Sequence, residues 1–454
     1  MVKDKKFYKT ILVIALPAAF QAFISLAVNL LDNVMIGNIG GTAGELGFAA
    51  LVPANQITTL LNFLIKGLAG GAAVLISQYW GKGDKERIRT LFSVVIKFSA
   101  AVVLVIAAVV FIFPSQVLSI FTDKENLIKL ASEYIRLISI TYVFAAVTDI
   151  IISMFRCVEN IKISLAVPIS SLVINFIFNN LFIYGSASLN IPAMGIKGAA
   201  YATIIARLVE FSIICCYTFK IDKKIKLRLK HIFTWDRLMF KDFIKFGIPI
   251  TIGDMQWGII GAIKTSFVGR MPIEMMNANN IADMCVQLVM LFSNGLASGA
   301  CVVIGKSVGE KNYEQTRKYS NTIQIMFAIM SVIFASSLFA AHDLFPKLYD
   351  MSSEIKEMAG DFIAIAALTL FGSLYHVGCF VGINRGAGDG KFVMKVDMIC
   401  GWLVVLPSVY IAHFVLGLSP AWVFFATRID QSFKWLIAFI RLRGNRWIRN
   451  VTRE

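Results

Sequence analysis

Residues 67–89 read GLAGGAAVLISQYWGKGDKERIR, and residues 295–317 read GLASGACVVIGKSVGEKNYEQTR. Laid together without a gap at an offset of 228, the pairs Gly67/Gly295, Leu68/Leu296, Ala69/Ala297, Gly71/Gly299, Ala72/Ala300, Val74/Val302, Ile76/Ile304, Gly81/Gly309, Glu86/Glu314 and Arg89/Arg317 are identical. The same offset sets Glu133-Tyr134-Ile135 against Asp361-Phe362-Ile363. An offset of 229 sets Arg156 and Lys162 against Arg385 and Lys391, and one of 232 sets Pro17 against Pro249 and Gly37 against Gly269. Shared apolar composition could produce ten matches in twenty-three, but not near-constant offsets at four separate places. The chain is an internal duplication.

Both copies are too apolar for a water-soluble domain. The 454 residues are 57% hydrophobic and 16% charged, with a mean hydropathy of +0.72, where a soluble chain carries about 25% charged residues. A bilayer supplies apolar surroundings on every side, and each crossing takes roughly 20 mostly apolar residues. Twelve stretches qualify, at about 10–36, 48–79, 91–113, 131–156, 164–184, 195–219, 243–269, 277–307, 319–341, 357–384, 392–415 and 418–442. All have helix length, whereas a transmembrane barrel would show shorter alternating strands. The fold class is an all-α integral membrane protein, twelve transmembrane helices in two pseudo-symmetric six-helix lobes. Six crossings return the chain to the side it left, so the copies are parallel, related by an axis along the membrane normal. Two such bundles rocking about a central cavity are a recurring transporter plan. Residues 1–221 form the first lobe, 243–454 the second, and the basic stretch 222–242 the linker.

A formal net charge of +16 suits nucleic acid in principle, but its placement argues for lipid. The two termini and the loops near 80–90, 156–163, 220–242, 306–318 and 384–391, with Lys245, carry 30 Lys and Arg. The loops of the other side carry six: Lys124, Lys129, Lys197, Arg270, Lys347 and Lys356. Such asymmetry orients a multi-pass protein with its basic loops inside, so both termini are expected in the cytoplasm of a cell-membrane protein. The run Lys220–Lys230, KIDKKIKLRLK, then meets anionic headgroups; membrane lipids are expected partners and nucleic acid is not. The seven cysteines lie mostly in apolar segments without a C-x-x-C pair and the four histidines are scattered, so neither disulfides nor a metal cluster is expected. The first apolar run is too long for a signal peptide and reads as the first helix.

A charge inside a membrane helix is costly and therefore a functional candidate. Asp32 stands in the otherwise uncharged segment Ile11–Gly37, about one and a half turns before its outer end. A carboxylate there takes up a proton or a metal cation when a cavity opens to it; the alternative is a structural hydrogen bond to a neighbouring helix. Asn175 and Asn179, spaced i, i+4, share one face of the fifth helix, where their amides either complete a polar site around Asp32 or bond neighbouring helices. At the offset that aligns Gly37 with Gly269, Asp32 falls on Lys264, and Asp283 lies at matching depth on the next helix, so the two are expected to pair. Lys264, Asp283, Gln256 and Asp254 are the candidates for the second lobe's part of the cavity. Asp430 and Lys434, four apart, are expected to satisfy each other, and Lys97, Lys395 and Asp397 to snorkel to the surface. Gly386–Gly390, GAGDG, follows a membrane helix and lacks a Lys-Ser/Thr ending, so it reads as a tight turn rather than a phosphate loop. Pro17, Pro53, Pro168, Pro249 and Pro407 fall inside helices, where membrane neighbours tolerate the kink.

Several motifs, in order, carry a family likeness. They are the first-helix proline followed by Leu31-Asp32-Asn33-Val34-Met35-Ile36-Gly37, then Ser77-Gln78-Tyr79-Trp80-Gly81-Lys82-Gly83-Asp84, then Gly195-Ile196-Lys197-Gly198-Ala199-Ala200-Tyr201-Ala202-Thr203. The second half adds Gly247-Ile248-Pro249 and Asn384-Arg385-Gly386-Ala387-Gly388-Asp389. Along essentially its whole length the chain resembles the multidrug and toxic compound extrusion (MATE) family. The resemblance implies a transporter, not an enzyme. It implies export of cationic or amphiphilic small molecules by a monomer without a cofactor, against inward movement of H+ or Na+. It also makes Asp32 the coupling aspartate, with Asn175 and Thr203 beside a first-lobe ion site able to hold Na+. Asn179 stands where several members have Asp, which weakens a sodium site and favours protons. Trp257 replaces a seventh-helix Glu of the norfloxacin-efflux branch, and Leu374, followed by His376, replaces its tenth-helix acid, so the chain looks closer to the DinF-like branch. The competing readings are a flippase for anionic or lipid-linked cargo, which Lys264 would suit, and an intramembrane enzyme or receptor. The latter needs a catalytic constellation or a sensory domain that the sequence does not show.

Overall fold

The computed structural model describes residues 2–268, 270–349 and 351–453; Gly269, matched above to Gly37, lies outside them. The described chain is helical, in the order α1 (Lys5–Gly37), α2 (Gly41–Lys82), α3 (Lys85–Ile112), α4 (Glu125–Ser139 and Tyr142–Cys157), α5 (Lys162–Ile183) and α6 (Ile196–Ile221). Then follow α7 (Arg237–Val268), α8 (Ile273–Gly309), α9 (Tyr313–Ala340), α10 (Ser353–Asn384), α11 (Gly390–Val415) and α12 (Pro420–Ala426 and Gln431–Arg443). Ten of these are long and apolar enough to cross a membrane, and the two parts of α4 make an eleventh span. The stretch expected at 131–156 is a bent span: its parts meet at 49° around Ile140–Thr141. The twelfth span is likewise broken, over Thr427–Asp430, where its charged residues gather.

Two compact units are present. One holds Phe20–Ala72 and Lys85–Phe243. In it the basic 220–230 stretch is anchored rather than loose: Asp222 accepts from the Asn160 side chain at 2.9 Å and from the backbone of Ile225 at 2.9 Å and Lys226 at 3.0 Å. Arg89 Nε donates to the Ile225 carbonyl at 2.7 Å.

The other unit holds the chain up to Ala19, Ala73–Asp84, and Ile244 onward. It shows why the opening repeat is rich in small residues. A methyl on Gly81 would overlap the Lys306 carbonyl, and one on Gly309 would overlap the Gln78 carbonyl. Gln78 and Lys306 are themselves repeat equivalents, so the ends of α2 and α8 cross backbone to backbone at a point the duplication relates to itself. Small residues permit such approach in membranes, where packing rather than the hydrophobic effect holds helices together. Gly295 and Gly299 likewise admit the backbone of Ala15 and Ile11 against α8.

The last residues of the chain fold back onto that crossing. Trp447 is 1% exposed and packs with Phe7, Ile304, Phe380 and Leu442. The Gln78 amide donates to the carbonyls of Gly386 at 3.1 Å and Arg449 at 3.2 Å and accepts from Val451 N–H at 2.8 Å. The 386–390 segment is a turn, with Gly388 at φ +85° and Asp389 gripped by Arg441 at 2.7 Å and Arg449 at 3.1 Å.

Candidate functional site

Gly198 decides the geometry of the first polar cluster. A side chain there would overlap the Phe182 carbonyl, so its absence lets the start of α6 lie directly against the end of α5. Thr203, further along α6, thereby meets α5, and Asn175 Nδ2 donates to its Oγ1 at 3.4 Å. One turn on, Asn179 Nδ2 donates to Asn175 Oδ1 at 3.0 Å and to Asp32 Oδ1 at 2.6 Å. The Tyr184 hydroxyl, donating to the Met35 carbonyl at 2.8 Å, fixes α1 beside the same end of α5. Asp32, Asn175, Asn179 and Thr203 thus form one hydrogen-bonded chain across three helices. Asp32 is 8% exposed and the two asparagines at most 1%.

This arrangement is short of donors. Asp32 Oδ1 accepts a short hydrogen bond from Asn179, and among the described residues the buried Asn179 Oδ1 has no partner. A buried acceptor left unpaired is unfavourable, and a proton on Asp32 or a cation among these oxygens would supply what is missing. Carboxylate, amide and hydroxyl oxygens are the ligand type of hard cations, so the site is chemically suited to either.

A pocket adjoins the cluster. Asn175 and Thr203 line one part of it, and Gln21, Thr148, Asp149, Arg207 and Glu210 another. Asp149 Oδ1 accepts from Gln21 Nε2 at 3.2 Å, Gln21 Oε1 accepts from Arg156 at 3.2 Å, and Arg207 pairs with Glu210 at 2.8 Å. Asp149, Arg207 and Glu210 were not among the residues expected from the sequence. The signal was present: Asp149 interrupts the apolar run Tyr142–Phe155, and Arg207 and Glu210 interrupt α6.

The candidates of the other unit fall into separate groups. Asp254 and Arg385 form a two-pronged pair at 2.6 and 3.0 Å. Gln256 is 5% exposed, and neither of its side-chain ends has a partner among the described residues. The expected Lys264–Asp283 pair is corrected. Lys264 Nζ donates to the Thr427 carbonyl at 3.3 Å, while Asp283 faces Arg428 at 3.6 Å and accepts from Asn279 at 3.0 Å. The break in α12 is the physical reason, because it frees a helix-end carbonyl for the ammonium and turns Arg428 toward Asp283. Asp397 does not snorkel either. It is 4% exposed and holds Lys434 at 2.6 Å, closer than Asp430 at 3.6 Å, and Lys434 also lies 4.6 Å from the centre of the Trp257 ring.

The MatE family model matches the chain twice, over residues 17–181 and 249–411. The uncharacterized transporter YisQ of Bacillus subtilis is 24% identical over 409 residues, covering 88% of this chain and 87% of its own. The multidrug resistance protein MdtK of Photorhabdus laumondii is 24% identical over 436 residues, 93% of this chain and 91% of that one. Among solved structures, the outward-facing conformation of a multidrug resistance MATE family transporter of the MOP superfamily superposes with a TM-score of 0.85 at 18% identity, covering 96% of this chain and 95% of that chain. A eukaryotic MATE transporter, AtDTX14, also gives 0.85, at 15% identity, covering 98% and 97%.

Proposed function

The chain belongs to the MATE family, and on that premise we propose that it is a secondary antiporter exporting cationic or amphiphilic small molecules by alternating access. Inward movement of protons through Asp32 drives export in this reading, with sodium the alternative ion. The observation that carries it is the buried Asp32 carboxylate, held by the donor-poor chain Asn179–Asn175–Thr203. An asparagine at 179 leaves the cluster one carboxylate, which suits a single proton better than a strongly held metal cation. The moving bodies follow the repeat, 1–221 and 243–454 joined by 222–242. The protein works as a monomer in the cell membrane, with both termini in the cytoplasm.

An anionic or lipid-linked cargo would favour uncompensated bases in the second half. Arg385 instead faces Asp254, Lys434 faces Asp397 and Asp430, and Arg428 faces Asp283. Of these three bases and Lys264, only Lys264, bonded to the Thr427 carbonyl, has no contacting carboxylate among the described residues, so the balance supports the cationic reading. Efflux from proteoliposomes under separately imposed pH and sodium gradients, with cationic, neutral and anionic cargo, is the test. Asp32→Asn should fold normally yet lose concentrative export, since asparagine can neither gain nor release a proton. A mutant that still concentrates cargo at the wild-type rate would place coupling elsewhere. Loss of transport on removing sodium alone would exchange the ion.

A further inference from the structure

We propose that Asp149 is a second proton-holding carboxylate, facing the same pocket as the Asp32 cluster but deeper along the helices, and that the inbound proton passes from Asp32 to Asp149 before it leaves. This rests on the reading of Asp32 as the coupling group and adds the path by which its proton is discharged.

The placement comes from helix geometry. Asp32 stands five residues before the end of α1, roughly 8 Å at 1.5 Å per residue. Gln21, whose amide touches Asp149, stands eleven residues further back, roughly another 16 Å. The pocket covers the part of that interval from Gln21 to Val28, one turn short of Asp32, and Asn175 and Thr203 of the Asp32 chain line it together with Asp149. Amides do not relay protons, so the hop needs water in the pocket and also over the last turn between Val28 and Asp32. Thr148, 2% exposed and lining the same pocket, has a hydroxyl with no protein partner among the described residues, which leaves it available to such water.

The charges around Asp149 suit a station that fills and empties. Lys66 approaches from α2, Arg156 from its own helix, and Arg207 and Glu210 from α6. Arg207 is taken by Glu210 at 2.8 Å. Among the described residues Asp149 has one hydrogen bond, from Gln21, and no ion pair within 4 Å. It is therefore neither locked as a carboxylate by a contacting cation nor remote from positive charge that would help it release a proton. Gln21 joins it to Arg156, further along α4, which marks the direction of exit. In the hop, the Asp32 carboxyl loses its proton as the Asp149 carboxylate gains it. Release from Asp149 to the far side then restores both carboxylates.

Two measurements on the purified full chain test this. Infrared difference spectra over a pH titration, which need no cargo, should show two buried carboxyls taking up protons. Asp32→Asn should remove one signal and Asp149→Asn the other. In proteoliposomes, with ethidium as cationic probe, Asp149→Asn should keep gradient-free counterflow with KM within about twofold of wild type. It should lose proton-driven accumulation by an order of magnitude or more, and Asp149→Glu should recover accumulation with a displaced pH profile. A wild-type spectrum in Asp149→Asn overturns the proposal. So does wild-type accumulation, and so does a raised counterflow KM, which would make Asp149 a cargo contact. If Asp32→Asn abolishes coupling while Asp149→Asn does not, only the relay fails; if Asp32→Asn still concentrates cargo, the reading beneath it fails.

Discussion

Replacing Lys434 with methionine keeps the length of the side chain and removes the ammonium shared by Asp397 and Asp430. The lysine is 1% exposed, with its Nζ 2.6 Å from one carboxylate and 3.6 Å from the other. At an effective dielectric of about 20, those separations correspond to gross attractions of about 6 and about 5 kcal/mol. Desolvation of each ion offsets several kcal/mol of this, so the assembled triad contributes little net stability. Breaking it is another matter, because two carboxylates 4% and 1% exposed lose their counter-ion, and stranding a buried charge costs about 3–5 kcal/mol. Lys434→Met should therefore lower stability by about that amount. Lys434→Met combined with Asp397→Asn should recover part of the loss, with a coupling energy of about 0.5–3 kcal/mol. Steric-trap unfolding of the purified protein in detergent measures both. A single mutant within about 0.5 kcal/mol of wild type, or a double mutant equal to the sum of its singles, would refute the argument that the triad acts as a unit.

Gly81→Ala should cost about 1–3 kcal/mol through overlap with the Lys306 backbone. Gly261→Ala, in α7 with nothing within 4 Å of the added methyl, should be neutral or stabilising by up to about 1 kcal/mol; equal effects in the same unfolding assay would mean that the crossing is not tight. Arg228→Cys, in a chain lacking its native cysteines, should resist an impermeant thiol reagent added to intact cells and react after permeabilisation, and labelling from outside would invert the proposed orientation.

The helical class and the span count were legible because a bilayer demands long apolar runs and the duplication sets their rhythm. The Asp32 neighbourhood was partly legible for a similar reason: i, i+4 spacing puts Asn175 and Asn179 on one face whatever surrounds the helix. Depth alone was a poor guide to partners. Lys264 and Asp283 lie level by residue count, yet pairing depends on the rotation of each helix about its axis and on where its neighbour breaks, and α12 breaks beside them. Asp397 sits near a helix end and so resembled a snorkelling residue, but it faces Lys434 inside the protein. Asp149 was visible as a charge in an apolar run. Only the packing of α1, α4 and α6 around a shared pocket gives it company.

The crossing of α2 and α8 bears on how such a chain could arise. Gln78 meets Gly309 as Lys306 meets Gly81, and Ser77 lies against Gly305, its own counterpart 228 residues later. Reciprocity of this kind is what a two-fold axis imposes when two identical subunits meet. A six-helix ancestor would have formed this contact as a homodimer, with one sequence obliged to serve both sides of the axis. Fusion of the two genes lifts that obligation. Position 78 is a glutamine that holds the carboxyl-terminal tail, while its twin at 306 is a lysine, a difference that no symmetric dimer of identical chains could carry.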